Sequence, residues 1–336
     1  MPRHICITGA SGFLGSHIVE QLLRHDCTID ALLRRPTAHL QRLAARHGQL
    51  RLHVVDLAQP GACNTLFSDC DTVIHCAASV TNNARPGSRQ WHETLKMNVN
   101  GTQNVIEGIQ QSAGVHTFVH TSSMAAILSP DTPADHVFSE ADWNHASLET
   151  SDPYWYSKTA AERLVTDAFQ PWPCEPRVVC INPSVIIGPV LDPRHAATSI
   201  AILNDLHTGK TPACPDLNFH FVDVRDLAEL HVRAALDKDI EGRFIVPGHE
   251  ASMLELAAMI KRRFPDSKAP QRRAPDWLMY VSALFNPRLS RRYLQQNLGV
   301  RRAFDDRRTR RTFQLDYRPL EYSVAETLES LSTSSP

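Results

Sequence analysis

The chain alternates short apolar runs with longer stretches whose apolar residues recur every three to four positions. The runs His4–Thr8, Ile29–Leu33, Leu52–Val55, Thr72–His75, Thr117–Thr121 and Arg177–Ile181 have the pattern of strands buried between two layers. Helical periodicity fills the intervals at Gly12–His25, Ala38–His47, Ser88–Ser112 and Tyr154–Phe169. This rhythm predicts right-handed βαβ crossovers and an α/β fold, a doubly wound parallel sheet covered by helices on both faces. After Pro183 the pattern loosens: a helix is expected near Ala197–Thr208, and FHFVDVRDLAELHVRAAL reads as a strand running into a helix. From about Pro247 the sequence is Arg-rich and helix-like, punctuated by Pro265, Pro270, Pro275 and Pro287. The expected division is a large unit at 1–183, to which 219–247 returns, and a smaller, mostly helical region at 184–218 and 248–330. The polar end SLSTSSP is expected to fray.

Composition narrows the function classes. With 336 residues, 42% of them hydrophobic, the chain can bury a sizeable core. Lys and Arg number 35 against 36 Asp and Glu, so no global field argues for nucleic acid or an anionic membrane as partner. No apolar run approaches the ~20 residues of a membrane span, and the amino terminus enters a strand-like run directly, without an export signal; a soluble, cytoplasmic protein is expected. The cysteines Cys6, Cys27, Cys63, Cys70, Cys76, Cys174, Cys180 and Cys214 stand singly, without metal spacing, and read as small buried hydrophobes. The 17 histidines form no HExxH pair. His75, in an apolar strand, reads as a satisfied core residue, and no metal is expected.

Gly9, Gly12 and Gly15 follow the first strand and open the first helix, the context in which such glycines allow a tight turn, close approach of a pyrophosphate and helix–sheet packing. The helix N-terminus would hold the phosphates. This points to a Rossmann-type dinucleotide site. At the end of the second strand, where an acidic residue would bond the ribose 2′-hydroxyl of NAD, the sequence has Arg34 and Arg35. An arginine pair suits a 2′-phosphate, so NADP(H) is favoured over NAD; solvated surface charge is the competing reading. Asp30 lies inside that strand and is expected to point elsewhere. Asp56 and Leu57 are expected at the adenine, and Cys76, Ala77 and Ala78 where the dinucleotide passes. The candidate cofactor set is Thr8, Gly9, Ser11, Gly12, Phe13, Leu14, Gly15, Arg34, Arg35, Asp56, Leu57, Cys76, Ala77, Ala78, Tyr154, Lys158, Pro183, Ser184 and Val185.

TGASGFLG, His-Cys-Ala-Ala at 75–78, Asn98 in KMNVNGTQNV, TSS at 121–123, YWYSK at 154–158 and NPSVIIGP at 182–189 together resemble the extended short-chain dehydrogenase/reductase family. The likeness covers most of the chain to about residue 250. YWYSKTAAE, ALLRRP and FVDVRDLAELHV look most like its dihydroflavonol reductase and carbonyl reductase branch.

Asp152 is a competent N-cap and Pro153 suits the first helical position, so Tyr154 and Lys158 fall on one helix face a turn apart. An ammonium beside the phenol is expected to pull the tyrosine pKa down from ~10 toward working pH. The resemblance implies that Tyr154 is the general acid/base, that Lys158 also binds the nicotinamide ribose, and that Ser123 donates to the substrate oxygen, with Ser122 as near competitor. It further implies that Asn98 supports the lysine or shapes its helix, and that Pro183, Ser184 and Val185 lie beside the nicotinamide.

The expected activity is NADPH-dependent reduction of a carbonyl, or oxidation of a secondary alcohol, on a small molecule. A nucleotide-sugar epimerase or dehydratase with the same triad is the second reading, and a non-catalytic NADP sensor the third. Val80, Trp91, Met124, Ile127, Trp143 and Ile187 hint at a hydrophobic substrate. The arginines of 288–311 read as a solvated face paired with carboxylates or, alternatively, as a grip on an anionic substrate. The family includes monomers and homodimers, and either state is open here.

Overall fold

The computed structural model describes residues 3–80, 87–133, 135–149, 152–170, 175–197, 199–283 and 291–333. Thr150, Ser151, Cys174, Pro287 and Arg288 lie outside the described residues. In chain order the elements are β1 (Arg3–Thr8), α1 (Phe13–Leu22), β2 (Cys27–Leu33), α2 (Ala38–Arg46), β3 (Leu50–Val54), β4 (Thr72–His75), α3 (Arg89–Leu95), α4 (Gly101–Gln110), β5 (Thr117–Thr121), β6 (Val137–Phe138), α5 (Pro153–Ala168), β7 (Arg177–Pro183) and β8 (Val185–Ile187). There follow α6 (Ser199–His207), β9 (Asn218–Asp223), α7 (Val224–Leu236), β10 (Gly242–Val246), β11 (His249–Ser252), α8 (Met253–Arg263), α9 (Asp276–Ser282), α10 (Arg291–Asn297), β12 (Ala303–Phe304), α11 (Arg307–Phe313) and α12 (Leu320–Thr333).

Seven parallel strands form the main sheet in the order β3-β2-β1-β4-β5-β7-β10, the doubly wound architecture expected from the sequence. Continuous apolar runs become central strands because both faces are covered. On one face Leu14, Ile18, Val19 and Leu22 of α1 and Leu227 and Leu230 of α7 pack against Ile5, Ile7 and Ile29. On the other, Val105, Ile106 and Ile109 of α4 and Val165 of α5 pack on Val73, Phe118 and Val178. Each such side chain, fully buried, contributes about 1.5–3 kcal/mol. Thr8 pairs with Leu32 on one side and His75 on the other, so β1, β2 and β4 end level. Strand order reverses between β1 and β4, and the crevice outside that switch point is where such sheets bind ligands.

The expected single helix over Ser88–Ser112 is instead α3, a π-turn at Lys96–Asn100, and α4. The return of 219–247 to the main sheet begins only at α7: β9 pairs with β8 and β11 in a separate three-stranded sheet. The reason is burial, since Phe221 joins a second core with Ile187, Leu203, Leu256 and Val324 rather than the main one. Of the tail expected to fray, residues 330–333 form the end of α12, whose side chains hold the segment after β8 and the end of β9. The Gly188 and Val190 amides donate to the Thr327 and Ser330 hydroxyls at 2.8 Å each, and Ser323 donates to Asp223 at 2.6 Å.

The described cysteines are free, and all but the half-buried Cys76 are buried. Among the described residues no helix is long and apolar enough to cross a membrane. In the arginine-rich region Arg307 pairs with Asp305, Arg310 with Asp306 and Arg301 with Glu250, while Arg308 stacks on Phe244.

Candidate active site

At the switch point the chain turns from β1 into α1 through Gly9–Gly12. Gly9 has φ +71°, and a Cβ there would lie 2.6 Å from the Ala77 backbone. At Gly15 a Cβ would lie 2.3 Å from the Gly9 carbonyl oxygen. Both positions exclude a side chain, and the exposed Gly12 caps α1, whose first turn holds no acidic residue. A cradle of bare backbone at a helix N-terminus fits a pyrophosphate. Of the other expected cofactor contacts, Ser11 on the loop and Phe13 at the start of α1 are half-buried, and Cys76, Ala77 and Ala78 follow β4 across from them.

Thr8 and Leu14 do not face the cleft. The Thr8 hydroxyl bonds His75 Nδ1 at 2.6 Å and Leu14 packs in the core, so both shape the loop from beneath. Leu57 is likewise buried, its carbonyl accepting from Asn104 Nδ2 at 2.7 Å, while Asp56 beside it is exposed. Arg34 and Arg35 are exposed at the end of β2, and among the described residues no protein group is bonded to either. Asp30 points away, as expected, and accepts from Arg51, His53 and His4 at 2.7, 2.8 and 2.6 Å.

The short turn Pro193–Ala196 reaches this end of the cleft, a contact the sequence did not signal. His195 Nε2 bonds the Ser11 carbonyl at 3.0 Å, and Arg194 donates to the Pro36 carbonyl at 3.1 Å.

The other half of the site hangs from the end of β5. Helix α5 starts at Pro153 as expected, but the Asp152 carboxylate makes no capping bond, because its backbone (ψ 60°) lies outside the extended region that aims a cap at the first amides. Its carbonyl accepts from Tyr156 N at 2.9 Å instead. The Tyr154 hydroxyl stands 3.5 Å from the Ser123 hydroxyl. That is long for a hydrogen bond, a separation that tightens when a substrate oxygen engages both groups. The Lys158 ammonium is 4% exposed and donates to the Thr121 carbonyl at 2.8 Å.

Ser122 and Ser123, adjacent in sequence, differ in environment. Ser122 is buried and donates a short hydrogen bond to Glu162, whereas the Ser123 oxygen accepts from Ala125 N at 3.1 Å and faces Tyr154. Asn98 sits in the π-turn, 2% exposed. Its amide nitrogen donates to the Ser79 carbonyl at 3.0 Å and to Ser157 Oγ at 2.9 Å, and its oxygen accepts from Ser79 N at 2.7 Å. It thus ties the segment after β4 to the residue preceding Lys158; π-turns concentrate at such sites. Pro183 ends β7 beside β5, the Ser184 hydroxyl donates to the Pro247 carbonyl at 2.7 Å, and Val185 is half-buried.

The electrostatics correct one expectation. Burial raises the Tyr154 pKa, only partly offset by the bond to Ser123, so the chain alone does not pull the phenol down. Burial likewise lowers Lys158 to about 8, against the opposing charge of Glu162. The phenol therefore carries its proton at neutral pH, the form a proton donor needs. Beneath lie His75, lowered to about 3 by burial and then by Lys158, and Cys76, raised to about 12 by burial.

Of the six residues behind the hydrophobic hint, four are taken up by packing. Met124, Ile127 and Ile187 are core residues at most 5% exposed, and Trp143 lies under the Arg243 guanidinium at 3.9 Å. Val80 is exposed, and Trp91 donates from its indole to the Glu149 carbonyl at 2.9 Å.

A doubly wound sheet with a glycine-walled turn at its switch point places the chain in the Rossmann class. The model of the NAD dependent epimerase/dehydratase family matches residues 5–246, and the chain belongs to that family, within its extended short-chain dehydrogenase/reductase branch. A cinnamoyl-CoA reductase of Medicago truncatula is 29% identical over 97% of this chain and 95% of its own length; a second from the same plant is 31% identical over 79% and 78%. A bifunctional dihydroflavonol 4-reductase/flavanone 4-reductase of Pyrus communis is 28% identical over 79% and 78%. The fold is that of the yeast methylglyoxal/isovaleraldehyde reductase Gre2 solved with NADPH, with TM-score 0.79, 23% identity and 98% of each chain covered. The protein is an NAD(P)-dependent oxidoreductase.

Proposed function

We propose that the protein reduces a carbonyl group of a hydrophobic small molecule to a secondary alcohol with NADPH, through Ser123, Tyr154 and Lys158. The observation that carries this reading is the convergence of the Ser123 and Tyr154 hydroxyls, 3.5 Å apart, at the end of β5, with Lys158 buried behind them. When bound, the cofactor supplies hydride from its nicotinamide. The chain's own residues do the rest. The Ser123 and Tyr154 hydroxyls together receive the carbonyl oxygen as negative charge develops on it. Tyr154, protonated at neutral pH, gives that oxygen its proton. The Lys158 ammonium stabilises the phenolate left behind and is the group we assign to the ribose hydroxyls.

Gly9, Gly12, Gly15 and Ser11 are assigned to the pyrophosphate, Asp56 to the adenine side, and Ala77, Ala78, Pro183, Ser184 and Val185 to the nicotinamide side. Arg34 and Arg35, exposed at the end of β2, are assigned to the 2′-phosphate; the Arg34 charge also bears on the Asp56 carboxylate. We place the substrate between the sheet edge and the segments 184–218 and 248–330, with Val80 and Trp91 at its rim.

The test is NADPH consumption on a panel of aldehydes and ketones. Turnover should fall by about 10²–10⁴-fold in Tyr154→Phe, the usual worth of a positioned proton donor. Turnover retained in that variant would reject the role of the phenol. Arg34→Ala should raise the KM for NADPH about tenfold and leave that for NADH nearly unchanged, the loss of one charge-assisted phosphate contact. Equal effects on the two cofactors would remove the 2′-phosphate assignment.

A further inference from the structure

The Glu162 carboxylate is fully buried on α5, one turn beyond Lys158. Its three contacts come from the ends of three strands. Arg243 of β10 donates from Nε at 2.6 Å to one oxygen. The other oxygen accepts from Asn182 Nδ2 of β7 at 2.6 Å and, by a short bond, from Ser122 at the end of β5. Asn182 Nδ2 also donates to the Ser123 carbonyl at 3.2 Å. Arg243 is fixed in turn by the Glu140 and Asp142 carbonyls and by the Trp143 ring, 3.9 Å from its guanidinium carbon. A buried ion pair is weak evidence for stability, since two well-packed apolar residues often do as well. Its position suggests another use.

We propose that Glu162 is a positioning residue for the reaction: it fixes the Ser122–Ser123 strand end against the helix that carries Tyr154 and Lys158, and it supplies the buried counter-charge of the Lys158 ammonium. This rests on the Ser123, Tyr154 and Lys158 roles proposed above. The groups facing Lys158 are His75 and Cys76 from the end of β4, His120 from β5, Cys180 from β7 and Glu162 from its own helix. Burial holds both histidines unprotonated and both cysteines as thiols. Of these groups Glu162 alone carries a charge opposite to that of the lysine. Arg243 keeps that carboxylate in place from the far side, so charge alternates along the row Arg243, Glu162, Lys158.

Two variants separate positioning from mere packing. Glu162→Gln keeps the shape and removes the charge; turning the Asn182 amide, whose oxygen has no partner, lets it accept from the new glutamine. The double variant Glu162→Gln with Arg243→Met makes the pair neutral and relieves the uncompensated guanidinium. The chain has six lysines, so Lys158 can be followed by NMR on lysine-labelled protein, with Lys158→Arg to assign its signal. In the wild type its titration should centre near about 8. In both variants the midpoint should move down by about one pH unit, the usual effect of losing a near opposite charge. The high-pH limb of kcat/KM should move with it, and kcat at pH 7 should fall about tenfold, while the double variant recovers the melting temperature lost by the single one. A Lys158 midpoint and pH profile that match the wild type's in a folded variant overturn the inference and leave the proposed function standing, provided Tyr154→Phe is dead. Full recovery of kcat in the double variant overturns it as well, since packing alone would then suffice. A wild type without turnover on any carbonyl removes both.

Discussion

Lys158 carries its charge where water cannot reach it, and burial brings its pKa from the usual 10.5 down to about 8. In the unfolded chain the amine keeps its proton to about pH 10.4. Below pH 8 both states are protonated and the folded one bears the whole desolvation penalty. Between pH 8 and about 10.4 the unfolded chain holds the extra proton, so this residue makes stability rise with pH across that window. Lys158→Met should therefore raise stability at pH 7 by on the order of 1–3 kcal/mol while abolishing turnover, with the gain shrinking toward pH 10. Thermal melts at the two pH values, beside an activity assay, check this. The lysine and tyrosine were legible in YWYSK because helical spacing puts them on one face. The preference for Ser123 over Ser122 rested on the resemblance alone, since residue types do not say which hydroxyl meets Glu162. Glu162 itself had a signal that went unread, standing four residues beyond Lys158 in the same string.

At the scale of elements, strands were the easier half. The ends of β4 and β5 fall where the apolar runs do, because a strand between two helical layers is apolar on both faces. The π-turn was hidden: it changes no residue type and follows from Asn98 having to reach both Ser79 and Ser157. The grouping of β9 with β8 and β11 was hidden too, since a strand's own pattern does not say which sheet it joins. The phosphate loop is an element whose rule is readable and strict. Gly15→Ala would place a methyl 2.3 Å from the Gly9 carbonyl oxygen, in backbone that has nowhere to move. It should destabilise the fold by about 1–3 kcal/mol, the usual range for overpacking. It should also weaken dinucleotide binding at least about tenfold; chemical denaturation and fluorescence titration with NADPH read the two effects. An unchanged affinity would mean that the loop opens by a route the packing does not suggest.

For the whole molecule, the sheet order puts the phosphate cradle on one side of the strand reversal and the Ser123, Tyr154 and Lys158 side chains on the other. Under the second group lies a layer of unprotonated histidines. His75 is lowered to about 3, His231 to about 4, and His120 well below its ordinary value, all chiefly by burial. In the unfolded chain these rings take up protons near pH 6.5. As the pH falls from 6.5 toward 4, the unfolded state gains protons that the folded state refuses, and each ring lowers stability by up to about 1.4 kcal/mol per pH unit. Unfolding midpoints in urea should accordingly drop steeply between pH 6.5 and 4, and His231→Gln should flatten that slope by about one proton's worth. His75 was legible as a core residue from its apolar strand; the burial of His120 and His231 beside it is a property of the fold and not of the residue list.

The hold of α12 on Gly188 and Val190 has a mechanical meaning. These residues lie a few positions beyond Pro183 and Ser184, so the wall assigned to the nicotinamide is fastened from outside by a helix that belongs to neither the cradle nor the triad. A proteolytic cut in the connection between α11 and α12 would remove no reacting group, yet it would leave the clasp held by packing alone and so bear on the chemistry from far along the chain.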